Sequence, residues 1–304
     1  MTWQLTLTGL LIGTLVGLTG MGGGSLMTPV LVILFGVNPT VAIGSDIAHG
    51  AIFKTVGAVQ HRRMGNVRAQ LAGWMLLGSA PMSLLGVWLA DWLQDHYGDD
   101  VESLMGQVLG AALLFGCAGL IAKTFVRGKE IQDEGFALTA RDKLAAVLIG
   151  FFGGFIVGLT SVGSGVFFGL TLLVLFPLRA HKVVGTDIFH AAALLYVAGI
   201  GHWVAGNVDV SIVGWLLLGS IPGVLIGGHL TLHIPEQPLR LLLAAVLGLA
   251  GLKLVDVPGA SIIIVVALGA GVTALLVLLG RHTWIRYQRG RNGRLPIGAG
   301  PASD

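Results

Sequence analysis

Apolar runs of about 20 residues recur along the whole chain with short polar breaks between them, and that is the length a helix needs to cross a hydrocarbon core. The pattern predicts an all-α, polytopic membrane protein. Full spans are expected at about 40–60, 68–90 and 101–123, then at about 182–202, 208–230 and 239–255, with one more at about 260–280. Two apolar stretches do not fit a simple crossing. "GLTGMGGGSLMTPVLVILFG", Gly17 to Gly36, is broken by Gly22, Gly23 and Gly24, and "GLTSVGSGVFFGLTLLVLFP" follows the same plan from Gly158. The run from Ser25 to Gly36 makes only about 18 Å of helix, against a core of about 30 Å. Each stretch is therefore read as a re-entrant hairpin. In the first, Trp3 to Gly20 descends to mid-depth, turns on the glycines, and returns as a half-helix.

The resemblance between the two stretches is part of a larger duplication. A shift of 141 positions lays Gly17-Leu18-Thr19 on Gly158-Leu159-Thr160 and "GSDIAH" at Gly44 on "GTDIFH" at Gly185. It also matches His61 with His202, "GNV" at Gly65 with "GNV" at Gly206, and "GWMLLGSAP" at Gly73 with "GWLLLGSIP" at Gly214. Shared apolar composition cannot align Asp, His, Asn, Trp and Pro in this way, so the repeat is a true duplication.

Charge then orients the halves. "HRRMGNVR" is basic and expected inside, whereas its counterpart "WVAGNVD" has lost the charges and is expected outside. No Lys or Arg occurs from Ala69 to Ala122, which places the loop 91–102 outside; Lys123, Arg127, Lys129, Arg141 and Lys143 bring the chain back inside. Three full spans per half is an odd number, which inverts the second half. The expected organisation is a first repeat at 1–123, a cytoplasmic linker at 124–143, a second, inverted repeat at 144–256, an additional span at 257–281 and a cytoplasmic tail at 282–304. Inverted repeats of this kind are typical of secondary transporters.

Composition agrees: 54% of residues are hydrophobic and 11% charged, where soluble domains carry about 25% charged. The first segment lacks a positive leader region and a small-residue cleavage site, and is expected to be retained. Cys117 stands alone, so no intrachain disulfide is available. The net charge of +3 comes from loops and the tail "RHTWIRYQRGRNGR" beside spans, which speaks for a bilayer anchor and against nucleic acid. There is no Walker motif, G-x-S-x-G or H-E-x-x-H, so neither an enzyme, a cofactor nor ATP coupling is expected.

The candidate chemistry lies where the hairpins end. A half-helix that starts at mid-depth points free N–H groups and its positive dipole end into the site, which suits an anion. Thr19, Gly22, Gly23, Gly24 and Ser25 would supply this in the first copy, and Thr160, Gly163, Ser164 and Gly165, with Ser161 nearby, in the second. Asp46 and His49 share a helix face, as do Asp187 and His190. Ionisable residues inside spans are costly and mark a pathway by default. His49 and His190 are expected to face substrate, and Asp46 and Asp187 to couple protons or to scaffold the hairpins. Lys54, matched by Leu195, lies about 140° around the helix from His49 and is expected to snorkel or to face another helix. Lys54 and Tyr196 are candidates to line an asymmetric cavity. His61 and His202 sit at span ends and are expected to be solvated, and Pro81 and Pro222 to kink their helices.

On these residues the chain resembles the sulfite exporter TauE/SafE family, also called the 4-toluene sulfonate uptake permease family. "GLTGMGGGSLMTPVL" followed by "GSDIAH", and their repeat, carry the resemblance, which covers about residues 5–255. It implies movement of sulfite, thiosulfate, sulfonates or related small sulfur or carboxylate anions across the bacterial cytoplasmic membrane without ATP. The second hairpin departs from the pattern, with "SVGSGV" in place of "GMGGGS". The expected activity is secondary transport of a small sulfur-containing anion by alternating access, with room for proton coupling and for a homodimer. The alternative is a divalent transition-metal transporter using Asp46, His49, Asp187 and His190.

Overall fold

A computed structural model describes residues 2–19, 24–97, 100–125, 137–163, 165–230 and 236–260. Gly22, Gly23 and Ser164, most of the expected linker, and the additional span and tail beyond residue 260 lie outside the described residues. The chain divides into two units, Met1–Val257 and Pro258–Asp304.

The elements of the first unit are, among the described residues, all helical: α1 (Thr2–Thr19), α2 (Gly24–Phe35), α3 (Pro39–Arg63), α4 (Ala69–Tyr97), α5 (Asp100–Phe125), α6 (Ala140–Thr160), α7 (Phe167–Leu175), α8 (Ala180–Val204), α9 (Val210–Leu230) and α10 (Glu236–Leu254). Among the described residues, α4, α5, α6, α8 and α9 are long and apolar enough to cross a membrane. α3 has the length, 25 residues, but carries Asp46, Lys54, Arg62 and Arg63, which lower its hydropathy. Local chemistry sets the starts. Asn38 accepts the Thr40 N–H at 2.9 Å ahead of Pro39 at the first turn of α3. Thr139 and Asp142 form a reciprocal capping box that opens α6 within the stretch read as linker.

Glycines tell the helix directions. A side chain at Gly150 would strike the backbone of Met75, one at Gly154 that of Ser79, and one at Gly158 that of Ser83. The register climbs together on both helices, so α4 and α6 run parallel and in near backbone contact. Small residues permit that approach, and dispersion is what holds helices together in lipid. The same contacts recur between α1 and α9, with Gly9 on Leu216 and Gly13 on Ser220. Each is the α4–α6 contact with 141 added to one partner and subtracted from the other. Polar contacts obey the same exchange: the Asp209 N–H donates to Ser45 at 2.9 Å and the Arg68 N–H to Thr186 at 3.0 Å.

Equivalent helices meet head to tail. Gly50 of α3 faces Leu195 of α8 while Gly57 faces Ile188, and Gly110 of α5 lies against Gly251 of α10. Thr55 donates to the hydroxyl of its own counterpart, Tyr196, at 3.3 Å. Antiparallel contact between equivalents requires a pseudo-two-fold axis across the helices, passing by Thr55 and Gly110.

α7 is a return arm. α6 ends level with about Leu85, with roughly 18 Å of α4 still to run. α8 runs the same way as α4, since Gly185 lies at Asn66 and Gly201 at Leu84 and Val87. The chain must therefore go back between α6 and α8, and Phe168 of α7 packs on Gly153 of α6. The reversal uses left-handed backbone at Ser161 (φ 61°), Gly163 (φ 134°) and Gly165 (φ 94°); the two glycines adopt it without the steric cost a Cβ brings. At the far end of α4, Trp88, Trp92 and Tyr97 are exposed and in ring contact, as aromatic residues are where a span meets the interface. Pro81 and Pro222 lie within α4 and α9, which continue past them.

Candidate functional site

α3 and α8 carry the site, because they face each other across the axis. In the first half Asp46, 1% exposed, accepts the Thr28 hydroxyl from α2 and the Ser161 hydroxyl, at 2.9 Å, from the turn after α6. One carboxylate thus ties α2 to the turn that follows α6. One helical turn on, His49 stacks on Phe53 and exchanges a hydrogen bond of 2.8 Å with Ser220 through Nε2. Its Nδ1 lies 3.9 Å from Asp46 Oδ1. The second half mirrors this: His190 Nε2 exchanges a 2.8 Å hydrogen bond with Ser79, and Phe168 stands edge-on to the ring at 4.6 Å.

Lys54 corrects the snorkelling expectation. It is 3% exposed and lines a space of about 10 Å³ with Asp46, His49, Phe53 and Ser220. Its ammonium is attracted by both Asp46 and Asp187. Lys54 precedes Thr55, so it sits near the axis, and the two aspartates lie about 10 Å to either side along their helices. An angle of about 140° from His49 puts it on another helix face, but the long flexible stem carries the charge to the seam.

The second carboxylate has different company. Gly169 stands where Thr28 does in the first half, and no hydroxyl is available there. A Cβ at Gly169 would lie 2.6 Å from Lys123 Nζ and 3.5 Å from Asp187 Oδ2. Lys123 thus enters the space that the glycine leaves, is buried, and donates at 3.5 Å to the Gly165 carbonyl. The Gly165 N–H is directed at the Asp187 carboxylate. This corrects the reading of Lys123 as a linker charge: it belongs to the interior at the end of α5.

The remaining candidates separate. Thr160 donates to the Ile156 carbonyl at 2.7 Å and accepts the Val162 N–H at 3.2 Å, so it pins the turn. The Phe167 N–H at the start of α7 goes to the Gly163 carbonyl at 2.9 Å. Tyr196 is exposed and lines a separate apolar groove of about 400 Å³ with Ile52, Trp203 and Leu217. Thr19 closes α1, and Gly24 and Ser25 open α2; the side chains of Thr19 and Ser25, with Gly22, Gly23 and Ser164, lie outside what is described. His202 is buried and its Nε2 donates to the Gly158 carbonyl at 2.9 Å, which overturns the solvated end expected for it; the α6 backbone is near enough to take its place as partner. His61 is half-buried.

Sequence reasoning missed Ser79 and Ser220, although both occupy the duplicated "GWxLLGSxP" and the matched register was a signal. It also missed Thr28, which carries no local mark of its role. The metal alternative loses its ligand set, since among the described residues no three His, Cys, Asp or Glu side chains gather to hold an ion. The Asp46 contacts carry a stability prediction. Thr28→Val keeps the shape but removes one of the two hydroxyl donors to a buried carboxylate, and should cost about 1–3 kcal/mol, read as a lowered unfolding temperature in detergent.

Residues 5–254 match the family model described as Sulfite exporter TauE/SafE. The chain is similar to three probable membrane transporter proteins of Bacillus subtilis (strain 168). It is 38% identical to YjnA over 256 residues, covering 84% of this chain and 100% of YjnA. It is 27% identical to YdhB over 249 residues, 80% of this chain and 96% of YdhB. With YunE it shares 23% identity over 248 residues, 74% of this chain and 85% of YunE. No solved structure matches the chain. With its duplicated Asp–His motif and the match over residues 5–254, this multi-pass membrane protein belongs to the sulfite exporter TauE/SafE family of membrane transporters.

Proposed function

We propose that the protein is a secondary transporter of a small sulfur-containing anion such as sulfite, thiosulfate, a sulfonate or a sulfocarboxylate, working in the bacterial cytoplasmic membrane. The observation that carries this reading is the pair of buried His–Ser contacts, His49–Ser220 and His190–Ser79, related by the axis and joined by a buried lysine between two carboxylates. Imidazole N–H, hydroxyl and ammonium donors suit an oxyanion, and each half presents its set from the opposite direction. The repeats at 1–123 and 144–256 would then sit inverted in the bilayer, joined by a cytoplasmic linker.

The space beside Asp46, His49 and Lys54, about 10 Å³, has room for one water and not for an oxyanion. Transport therefore needs the two halves to part, first on one side and then on the other, which parallel glycine seams such as α4–α6 allow by sliding. Two lysines and two aspartates sum to zero charge when both histidines are neutral, so an entering anion calls for a compensating proton.

The test is uptake of sulfite, thiosulfate and methanesulfonate into proteoliposomes containing the full chain. Saturable uptake is expected for at least one anion, reduced about 10- to 100-fold by His49→Ala or His190→Ala through lost charge-assisted hydrogen bonds. Absence of uptake for all three anions would discard the reading.

A further inference from the structure

We propose that the Asp187 carboxylate is a built-in competitor for the transported anion, occupying a site made by the Gly165 amide and the Lys123 ammonium until a proton releases it. This rests on the anion-transport reading above and assigns the coupling step to the second half alone.

The two halves have diverged at this point. Asp46 Oδ2 takes two hydroxyl hydrogen bonds, from Thr28 and Ser161, and is fixed. Asp187 is 5% exposed, yet its Oδ1 has no hydrogen-bond partner. A carboxylate kept for structure would be expected to have its buried oxygens satisfied. The other side of Asp187 meets what an anion would seek: the N–H of Gly165 ahead of α7, and Lys123 drawn into the space that Gly169 leaves open. α7 has nine residues, enough to present a helix N-terminus.

A sulfonate carries the same single charge as a carboxylate and one more oxygen. It can take the Gly165 amide and Lys123 together and still offer an oxygen toward Lys54 or His190. The charged and titratable groups around Asp187 are Lys54 from α3, Lys123 from α5 and His190 one turn on along α8; α7 contributes none. Two anions cannot share these donors, since like charges this close repel strongly. When a monoanion enters, Asp187 takes up one proton and gives up the amide. The cluster of Lys54, Lys123, Asp46 and Asp187 then remains neutral with its guest, as it was without. No bond other than that O–H forms, and the proton leaves when the anion does.

The experiment measures binding of methanesulfonate and thiosulfate, neither of which titrates near neutrality, to the purified full-length protein by calorimetry between about pH 5 and pH 8. Wild-type affinity should rise as pH falls. Asp187→Asn should bind about 10-fold tighter than wild type at the alkaline end and lose the pH dependence; Lys123→Met should bind more weakly than wild type. Binding by Asp187→Asn where wild type is silent would also support the proposal. If wild type binds and Asp187→Asn binds no tighter, the competitor is overturned while anion transport stands; if both proteins are silent toward both anions, the competitor is overturned, and the transport reading falls with it only when sulfite uptake is absent as well. Should Asp187→Asn not fold, wild-type protein settles the matter with a pH-indicator dye: about one proton taken up per methanesulfonate supports the proposal, and none overturns it.

Discussion

Lys54→Met is expected to lower transport by about 100-fold or more, the loss of one charge-assisted contact in the transported complex, and to destabilise the protein as well. The ammonium lies between Asp46 and Asp187 and is buried with them. Removing one partner of a buried ionic group leaves charge uncompensated, at a cost of about 3–5 kcal/mol. The two effects can be separated. In the double variant Lys54→Met, Asp187→Asn the surplus negative charge is gone, so the unfolding temperature should recover toward wild type. Uptake should stay lost, because the donor at the axis is still missing. Recovery of both would show that Lys54 only balances charge; recovery of neither would point to packing around the lysine stem. Uptake in proteoliposomes and thermal unfolding in detergent supply the two readouts.

Gly154→Leu is expected to abolish the folded protein, and Gly13→Leu to do the same. Each glycine faces the backbone of a serine on the partner helix, Ser79 and Ser220 respectively, and these serines hold the two site histidines. A side chain at either position has no flexible neighbour to push aside. Overpacking in a soluble core costs about 1–3 kcal/mol, and here two helix backbones must separate along a whole seam. The measurement is the yield of monodisperse protein after detergent extraction. Gly73→Ala and Gly214→Ala are the controls: nothing stands near the added methyl at either position, and their yields should match wild type.

Much of this architecture was legible because it is written in short-range pattern. Hydropathy period and run length marked the helices, and "GSDIAH" with "GTDIFH" marked the repeat whose contacts are exchanged across the axis. The short half-helices were legible too, since a dozen apolar residues cannot cross a bilayer. Tyr196 shows the limit. As a candidate to line an asymmetric cavity beside Lys54 it does line a groove, but an exposed apolar one apart from the histidines.

Lys123 shows why the rest was not legible. At the end of a span, a lysine ordinarily extends to the interface, and nothing adjacent to it says otherwise. Its burial was decided by Gly169, 46 positions away, whose missing side chain leaves a space beside a carboxylate. The duplication likewise made Asp46 and Asp187 look alike. Lys54 is shared between them, and their difference lies in what else neighbouring helices bring, two hydroxyls to Asp46 and the Lys123 ammonium to Asp187.

From the amino-acid order alone come the helices, the doubling, the two short apolar segments and the Asp–His pairs, because each depends on residues a few turns apart or on a repeat visible by translation. Tertiary structure alone decided which single-copy cations enter the interior, which serines hold the histidines, and which carboxylate is left with an unpartnered oxygen. Those outcomes turn on space and charge between helices distant in the chain, where one absent methyl or hydroxyl decides what moves in.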